Sequence, residues 1–461
     1  MGWGMRKLLF FDYSRVSRLR GFVRRLERPE KFPGNPLLIG EEPWEHGNFT
    51  MYGSVVKADG KPFQLWYSVV SKPLVLHVAY AESDDGIHWR KPPLDVFSWD
   101  GRKTNIVSEH DIHGAAVIYD ERDPREDYRY KMIGGFGGGS KAPIYGFHSP
   151  DGIHWKMIRP GPIIGTGPDS PMGLLRLPDG RYAAYHRKQP YGRKIFRSES
   201  WDFLHWSGEP RMVLEPDAQD PPMTQFYGIG SVPYGPFELG TLWMFHIDPE
   251  DGTALNGYQE AELAYARSGY AWHRAAQGQP FLPHGEPGEW DQGNLQCASA
   301  PVFLKDEIRY YYAGTNIRHS RHWEHNPQRA GLGMATLKPD RFIALVAGPL
   351  ESELVTVPLV LPSGDIRLNA NVEPGGWVGV EIQDENGRPV DGFRMEECAP
   401  IAGDSLSHEV RWSGGRPDAF LRGARYRLRI GARRASLYSV FAVEDGETPH
   451  YARFEEFAVK L

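Results

Sequence analysis

The stretch SDDGIHW, Ser83 to Trp89, returns as SPDGIHW at Ser149 to Trp155 and as SWDFLHW at Ser200 to Trp206, with a shortened relative, SGYAW, at Ser268 to Trp272. A motif that returns is either a site used several times or a turn needed several times. Apolar and aromatic residues alternate just before each copy (HVAYAES, IYGFHS, KIFRSES, LAYARS), which is the period of a half-buried strand. Each copy therefore closes one strand, turns at Asp-Gly or its substitute, and opens the next strand with the Trp. Asp-Gly supplies the positive φ of a hairpin turn, the Ser and Asp side chains bond the turn's own backbone, and the Trp ring packs against the neighbouring repeat. The copies read as structural punctuation rather than as four sugar or metal sites.

The Trp residues are spaced by 66, 51 and 66 residues, enough for a four-stranded sheet and a variable loop, which is the period of propeller blades. Two further strands precede each motif: MYGSVVKADG and FQLWYSVV, AAVIYD and YRYKMIGG, MGLLRLPDG and YAAYHRK, YGIGSVPYG and LGTLWMFHID. A fifth unit follows in SAPVFLKD, EIRYYYAG and GLGMATL, although its turn, KPDRF, lacks the Ser and Trp. The fold class expected is all-β: a five-bladed β-propeller over residues 41–348, with any ligand held around the central channel, then a β-sandwich over 349–461. The sandwich is read from LVTVPLVLPSGDIRLNANVEPGGWVGVEIQDENGRPVDGF, which alternates, carries turn dipeptides and lacks the blade motif. Residues 1–40, with the basic run RVSRLRGFVRRLERPEK, are predicted to lead across the propeller into blade one.

Composition agrees with many short strands: of 461 residues 52 are Gly and 38 Pro, and aromatics reach 13%. The net charge of −6 is dispersed, which argues against a nucleic-acid surface or a polybasic membrane anchor and leaves a polar small or polymeric partner. No apolar run approaches the roughly 20 residues of a membrane span. The start, MGWGMRKLLFFDYSRV, turns charged too early for a signal peptide, so a cytoplasmic protein is expected. Cys297 and Cys398 fall in different predicted domains, so no disulfide is expected.

The chain resembles the five-bladed propeller glycosidases, the group of invertases, levanases, arabinanases and β-xylosidases, and most nearly uncharacterised bacterial relatives of the invertase propeller. The resemblance rests on FFDY (Phe10 to Tyr13), NPLL before PWE, RYKM in blade two, SESWDFLHW in blade three, and LNAN, GDS and VRW in the terminal domain. It implies three carboxylates from the starts of blades one to three: a nucleophile, a transition-state stabiliser and a general acid. A pair is the chemical minimum, because one acid must protonate the leaving oxygen while a carboxylate attacks or activates water. GPDSPMGLLRL lies on the family's Glu-Cys-Pro-Asp, which puts Asp169 in the acid's place with Pro171 matching its Pro.

The first-blade signature of that family, Asn-Asp-Pro-Asn-Gly, is absent, and Thr50 falls where the nucleophile belongs. The nearest acid is Glu45 in WEHGNF, a phrase that reappears before blade five as WDQGNL with Asp291 in the matching place. The two acids are either inward carboxylates or a repeated structural joint. In blade two, Arg122, Asp123 and Pro124 mimic the family's Arg-Asp-Pro but fall in a hairpin, and Asp111, beside His113 and ahead of the inner strand, is the better-placed acid or else a solvated loop carboxylate. His113, His186, Arg187, Gln225, Tyr227, His246 and Gln296 are the candidates for binding sugar hydroxyls or an anionic substituent.

GGFGGGS (Gly134 to Ser140) lacks the Lys and the following helix of a phosphate loop, and HSRHWEH (His319 to His325) matches no zinc spacing, so no cofactor and no metal are expected. The resulting expectation is a glycoside hydrolase acting on a small glycan with carboxylates drawn from Glu45, Asp111, Asp169 and Asp291. The rivals are a phosphorylase of the mannoside type and a carbohydrate-binding propeller without catalysis. A six-bladed sialidase fits less well, since five blades are counted and no arginine triad assembles.

Overall fold

The computed structural model describes residues 5–71, 75–136, 143–165, 168–188, 193–248, 256–319, 329–361, 365–415, 424–443 and 455–456. The regular structure is nearly all strand, and the repeat motif marks the blades as expected. Blade one holds Thr50–Lys57, Phe63–Ser71, Val75–Ser83 and Trp89–Arg90 in that spatial order. Blade two begins with Ile112–Tyr119, blade three with Pro168–Arg176 and blade four with Thr224–Tyr234, and each is a four-stranded antiparallel meander. Blade five begins with Asn294–Cys297 and continues through Ile308–Thr315 and Ala330–Leu337. The innermost strands of blades one to four touch in succession, and Asn294–Cys297 of blade five meets Gly257–Ala266 of blade four on one side and Thr50–Lys57 of blade one on the other.

The recurring turn is a joint between blades. In the first copy Asp85 Oδ1 accepts the N–H groups of Ile87 and His88, both at 2.8 Å, while Ser83 Oγ accepts that of Gly86. The left-handed glycine there has φ 76°, and the Gly86 carbonyl accepts Tyr311 Oη of blade five at 2.9 Å. The Gly152 carbonyl likewise accepts the Trp66 indole of blade one at 2.7 Å, and the Gly269 carbonyl accepts Tyr185 Oη of blade three at 3.3 Å. Three of the Trp residues also meet an aromatic ring of the preceding blade, Trp89 with Tyr311, Trp155 with Trp66 and Trp272 with Tyr185, while Trp206 meets Phe203 of its own turn. In the third copy Phe203 takes the glycine's place at φ 68°, with its ring buried.

These turns carry a pH dependence. Burial raises the Asp151 carboxyl, but the N–H and imidazole of His154 and the N–H of Ile153 outweigh it and hold the group at about 2; Asp85 and Asp202 are depressed in the same way. A depressed carboxyl stabilises the fold above the unfolded value, about 3.9 for Asp, and the contribution disappears as pH falls through the folded value. The urea midpoint is therefore expected to fall between pH 5 and pH 2, and Asp151→Asn is expected to flatten part of that slope.

Blade five corrects the expected path of the N-terminal segment. The described part of the predicted lead-in, residues 5–40, does not simply run into blade one: Glu30–Lys31 and Leu38–Ile39 pair antiparallel with Ala330–Leu337 and supply the outer edge of blade five. Asn35 fastens the connection, its Nδ2 donating to the Met334 carbonyl at 2.9 Å and its Oδ1 accepting the Met334 N–H at 3.0 Å. Earlier still, Met5–Leu9, Val16–Arg20 and Phe22–Leu26 join the C-terminal strands in one ten-stranded sheet. Its spine is Arg425–Val443, which pairs along Asp365–Asp384 on one side and with four shorter strands on the other.

The apolar cluster of that sheet is continuous with blades four and five, through Tyr234, Phe237, Tyr265, Phe281 and Tyr310. Phe11 sits at the junction, its ring 5.1 Å from Phe237 and 5.5 Å from Phe342. Beside it Lys7 is fully buried and donates to both Asp340 oxygens, at 2.7 and 2.8 Å, while Tyr234 and Ser439 donate to the same carboxylate. Removing one member of a buried ion pair strands the other charge. Lys7→Ala is expected to cost about 3–5 kcal/mol, measured as a lower denaturant midpoint. Trp377, Phe393 and Trp412 pack within the terminal sheet region; Phe393 and Trp412 meet edge to face at 5.5 Å. Cys297 and Cys398 are both free and buried. No helix among the described residues is long and apolar enough to cross a membrane.

Candidate functional site

Where the inner strands converge, a cavity of about 370 Å³ opens, within the usual range of small-molecule sites. Its wall includes Asn48, Thr50 and Tyr52 from blade one, His113 from blade two, Tyr227 from blade four and Asn294 and Gln296 from blade five, with Arg318 and His319 at the end of a blade-five hairpin strand. Ser299 donates its N–H to the Gly53 carbonyl at 3.0 Å, Ser231 donates to the Ser299 carbonyl at 2.7 Å, and the Ser54 and Ser299 hydroxyls meet at 2.5 Å. Next to the cavity these bonds tie the innermost strands of blades one and four to the residue just beyond the inner strand of blade five.

The wall is organised by one hydroxyl chain. Tyr52 Oη lies 2.7 Å from Tyr227 Oη, which lies 3.0 Å from His319 Nε2. Trp243 stacks behind both tyrosines, at 6.1 and 6.3 Å between centroids, and the His113 ring meets Tyr52 edge to face. The Arg187 guanidinium lies 4.5 Å from the Tyr227 ring centre and that of Arg193 lies 5.2 Å away. Phenol, imidazole and amide groups over a rigid aromatic backing can bind sugar hydroxyls, and the arginines add positive charge at one side.

Of the residues singled out in the sequence, His113, Tyr227 and Gln296 line the cavity. Arg187 is buried immediately behind Tyr227, and Gln225 is engaged by Arg193 at 2.6 Å. His186 and His246 are off the wall. His186 is fully buried between the Arg187 carbonyl and Ser198 Oγ, and burial pulls its pKa down to about 4, so it is a neutral packing residue. His246 stacks on Tyr258 and has Nε2 3.2 Å from Glu260.

The carboxylates are distributed differently from the expectation. Glu45 and Asp291 are not on the wall, and the alternative of a repeated joint describes their geometry. Glu45 accepts Tyr67 Oη at 2.5 Å, the Glu42 N–H at 2.8 Å and Lys91 Nζ at 2.7 Å. Asp291 accepts Tyr312 Oη at 3.0 Å and Lys31 Nζ at 2.7 Å. Burial, and next the carboxylate itself, push both phenols far up, so each stays a donor. Asp111 is half-buried, and its Oδ1 accepts the N–H of Leu76, a wall residue, at 3.0 Å. The Asp169 side chain lies outside the described residues; its backbone sits near the start of blade three, in register with Arg187. Asp123 is a turn residue, paired with Arg125 and Lys131. Of the HSRHWEH stretch only His319 falls within the description, and of GGFGGGS only Gly134 to Phe136.

Among the described wall residues there is no carboxylate, and among the described residues no three His, Cys, Asp or Glu form a metal-holding group. Sequence reasoning missed Tyr52, Asn48, Asn294 and Arg318. For the asparagines the signal was present: both follow the acid by three residues in WEHGN and WDQGN.

No protein-family model matches the chain, and no curated protein matches it. Solved structures do. One, reporting that the GH130 family of mannoside phosphorylases contains glycoside hydrolases that target β-1,2 mannosidic linkages in Candida mannan, is 18% identical, covers 70% of this chain and 95% of its own, and has a TM-score of 0.48. The β-1,2-mannobiose phosphorylase of Listeria innocua, in complex with β-1,2-mannobiose, is 15% identical over 68% of this chain and 97% of its own, with a TM-score of 0.47. A thermostable family-43 glycoside hydrolase is 14% identical over 66% of this chain and 92% of its own, with a TM-score of 0.45. The five-bladed assignment stands on the strand pairing of the chain itself.

Proposed function

We propose that the chain is a glycosidase that hydrolyses a small glycan or oligosaccharide in the central cavity. The observation that carries the reading is the wall itself: a ligand-sized cavity where the inner strands converge, lined by phenols, imidazoles and amides over an aromatic backing. Asp169 is the general acid in this reading and Asp111, bonded to the wall residue Leu76, the second carboxylate. Glu45 and Asp291 take no part in the chemistry in this reading, because each stands off the wall and is bonded to a Lys and a Tyr. The ten-stranded sheet, read as a sandwich, is a buttress. Release of product from 4-nitrophenyl glycosides and unmodified disaccharides tests the proposal. Binding of a probe by calorimetry with no turnover over long incubation would leave a carbohydrate-binding propeller instead.

A second reading is favoured by one observation. Arg187 and Arg193 flank Tyr227 while Arg318 stands on the same wall, a positive group suited to phosphate, with the His319 imidazole beside it. In that case the enzyme is a phosphorylase with a single main acid. Turnover that requires inorganic phosphate and yields a sugar phosphate separates it from hydrolysis.

A further inference from the structure

The phrase Trp-acid-x-Gly-Asn occurs twice, and its last residue does a job that neither the blade turns nor the carboxylates explain. In Trp44 to Asn48 and in Trp290 to Asn294 the acid is a buried foot, held by a Lys and by a Tyr from the second strand of the same blade. The asparagine three residues on reaches the cavity wall in both cases, from blade one and from blade five. The anchored acid and the wall asparagine are two ends of one device.

Asn294 is the better defined of the pair. Its Nδ2 donates to the Ile317 carbonyl at 2.8 Å. A carbonyl only accepts, so this bond fixes which end of the amide is which. Gly293 permits the approach, since a Cβ there would lie 2.1 Å from the same carbonyl oxygen. The other end, Oδ1, is buried and has no hydrogen-bond partner among the described residues, in a side chain only 6% exposed. Gln296, two residues along the same strand and so on the same face, also lines the cavity.

An unpaired buried acceptor is costly and selects for a donor. We propose that Asn294 is a specificity-determining residue whose Oδ1 accepts a hydrogen bond from a hydroxyl of the bound glycan, with Asn48 reading the same ligand from blade one. A sugar hydroxyl supplies the proton this site lacks, whereas an ionised carboxylate does not. The inference rests on the glycan reading above and extends it to the group recognised.

The test uses the full chain, the panel of 4-nitrophenyl glycosides and disaccharides, and the monodeoxy analogues of the best probe. Asn294→Ala is expected to raise KM about tenfold with kcat nearly unchanged, as loss of one uniform binding contact does. One monodeoxy analogue is expected to be about tenfold weaker on the parent protein and no weaker than its parent sugar on the variant, so that the two losses do not add. An unchanged KM, as when Oδ1 is served by an internal water, overturns the role of Asn294 while leaving the glycan reading intact. So does a deoxy penalty of equal size on both proteins. If the parent protein neither turns over nor binds any probe by calorimetry, the glycan reading fails and this inference with it. Asn48→Ala, at a half-buried position, gives the same measurement for blade one: a raised KM supports paired recognition and an unchanged one overturns it, whether or not Asn294→Ala folds.

Discussion

Asp169→Asn is expected to lower turnover of the accepted glycan by about 10²–10⁴-fold, the range for losing a positioned general acid, while binding of the same glycan persists. Asp169 lies near the start of the inner strand of blade three, as Thr50, His113 and Asn294 lie at or near the starts of theirs. Those three are all on the cavity wall. A general acid must be protonated to act, so the alkaline limb of the kcat/KM profile is expected to disappear in the variant together with the rate. A substrate with an activated leaving group, which needs little protonation, is expected to recover much of the lost activity. Turnover equal to that of the parent protein on unactivated glycans removes Asp169 from the mechanism.

Deleting residues 350–461 is expected to yield insoluble protein rather than a free propeller. The deletion removes Arg425–Val443, the strand on which Met5–Leu9 and Ile343–Ala347 are paired, and so leaves two unpaired apolar edges. It also uncovers blades four and five where they share a core with Leu437, Val440 and Phe441, each worth about 1.5–3 kcal/mol in burial. Asp340 loses Ser439 while keeping Lys7. Solubility on expression and, for any soluble fraction, the thermal midpoint are the measurements. A soluble truncated chain with an unchanged midpoint and weaker polysaccharide binding would mean that the terminal sheet is a binding module.

The ring was legible in the sequence because its turns are local. Ser, Asp, Gly and Trp sit within seven residues of one another, and all four act on the same hairpin, so SDDGIHW could be read without knowing anything distant. The closure of blade five was not legible for the opposite reason. Nothing in GNPLLIG shows that Leu38 pairs with Leu332; a two-residue edge strand has no period to detect. The site divides along the same line. His113, Tyr227 and Gln296 followed from their places at the starts of strands, a local property. The distinction between Glu45 as a catalyst and Glu45 as a joint depended on Lys91 and Tyr67, which sequence does not bring near it. The same holds for Asp291, whose lysine partner is 260 positions away.

Because the edge of blade five comes from Glu30–Lys31 and Leu38–Ile39, the ring cannot close until residues 330–337 have been made. On the ribosome, blades one to four are complete while that early segment still lacks its partner strand. Loop closure over such a separation is entropically slow, and an unsatisfied strand edge is open to pairing with another chain. The step that closes the ring therefore joins an early segment to a much later strand, and a nascent chain stalled before blade five carries an open ring. In the finished protein the same junction makes unzipping demanding, since opening the circle means peeling away a segment also tied into the terminal sheet through Met5–Leu9 and Phe22–Leu26.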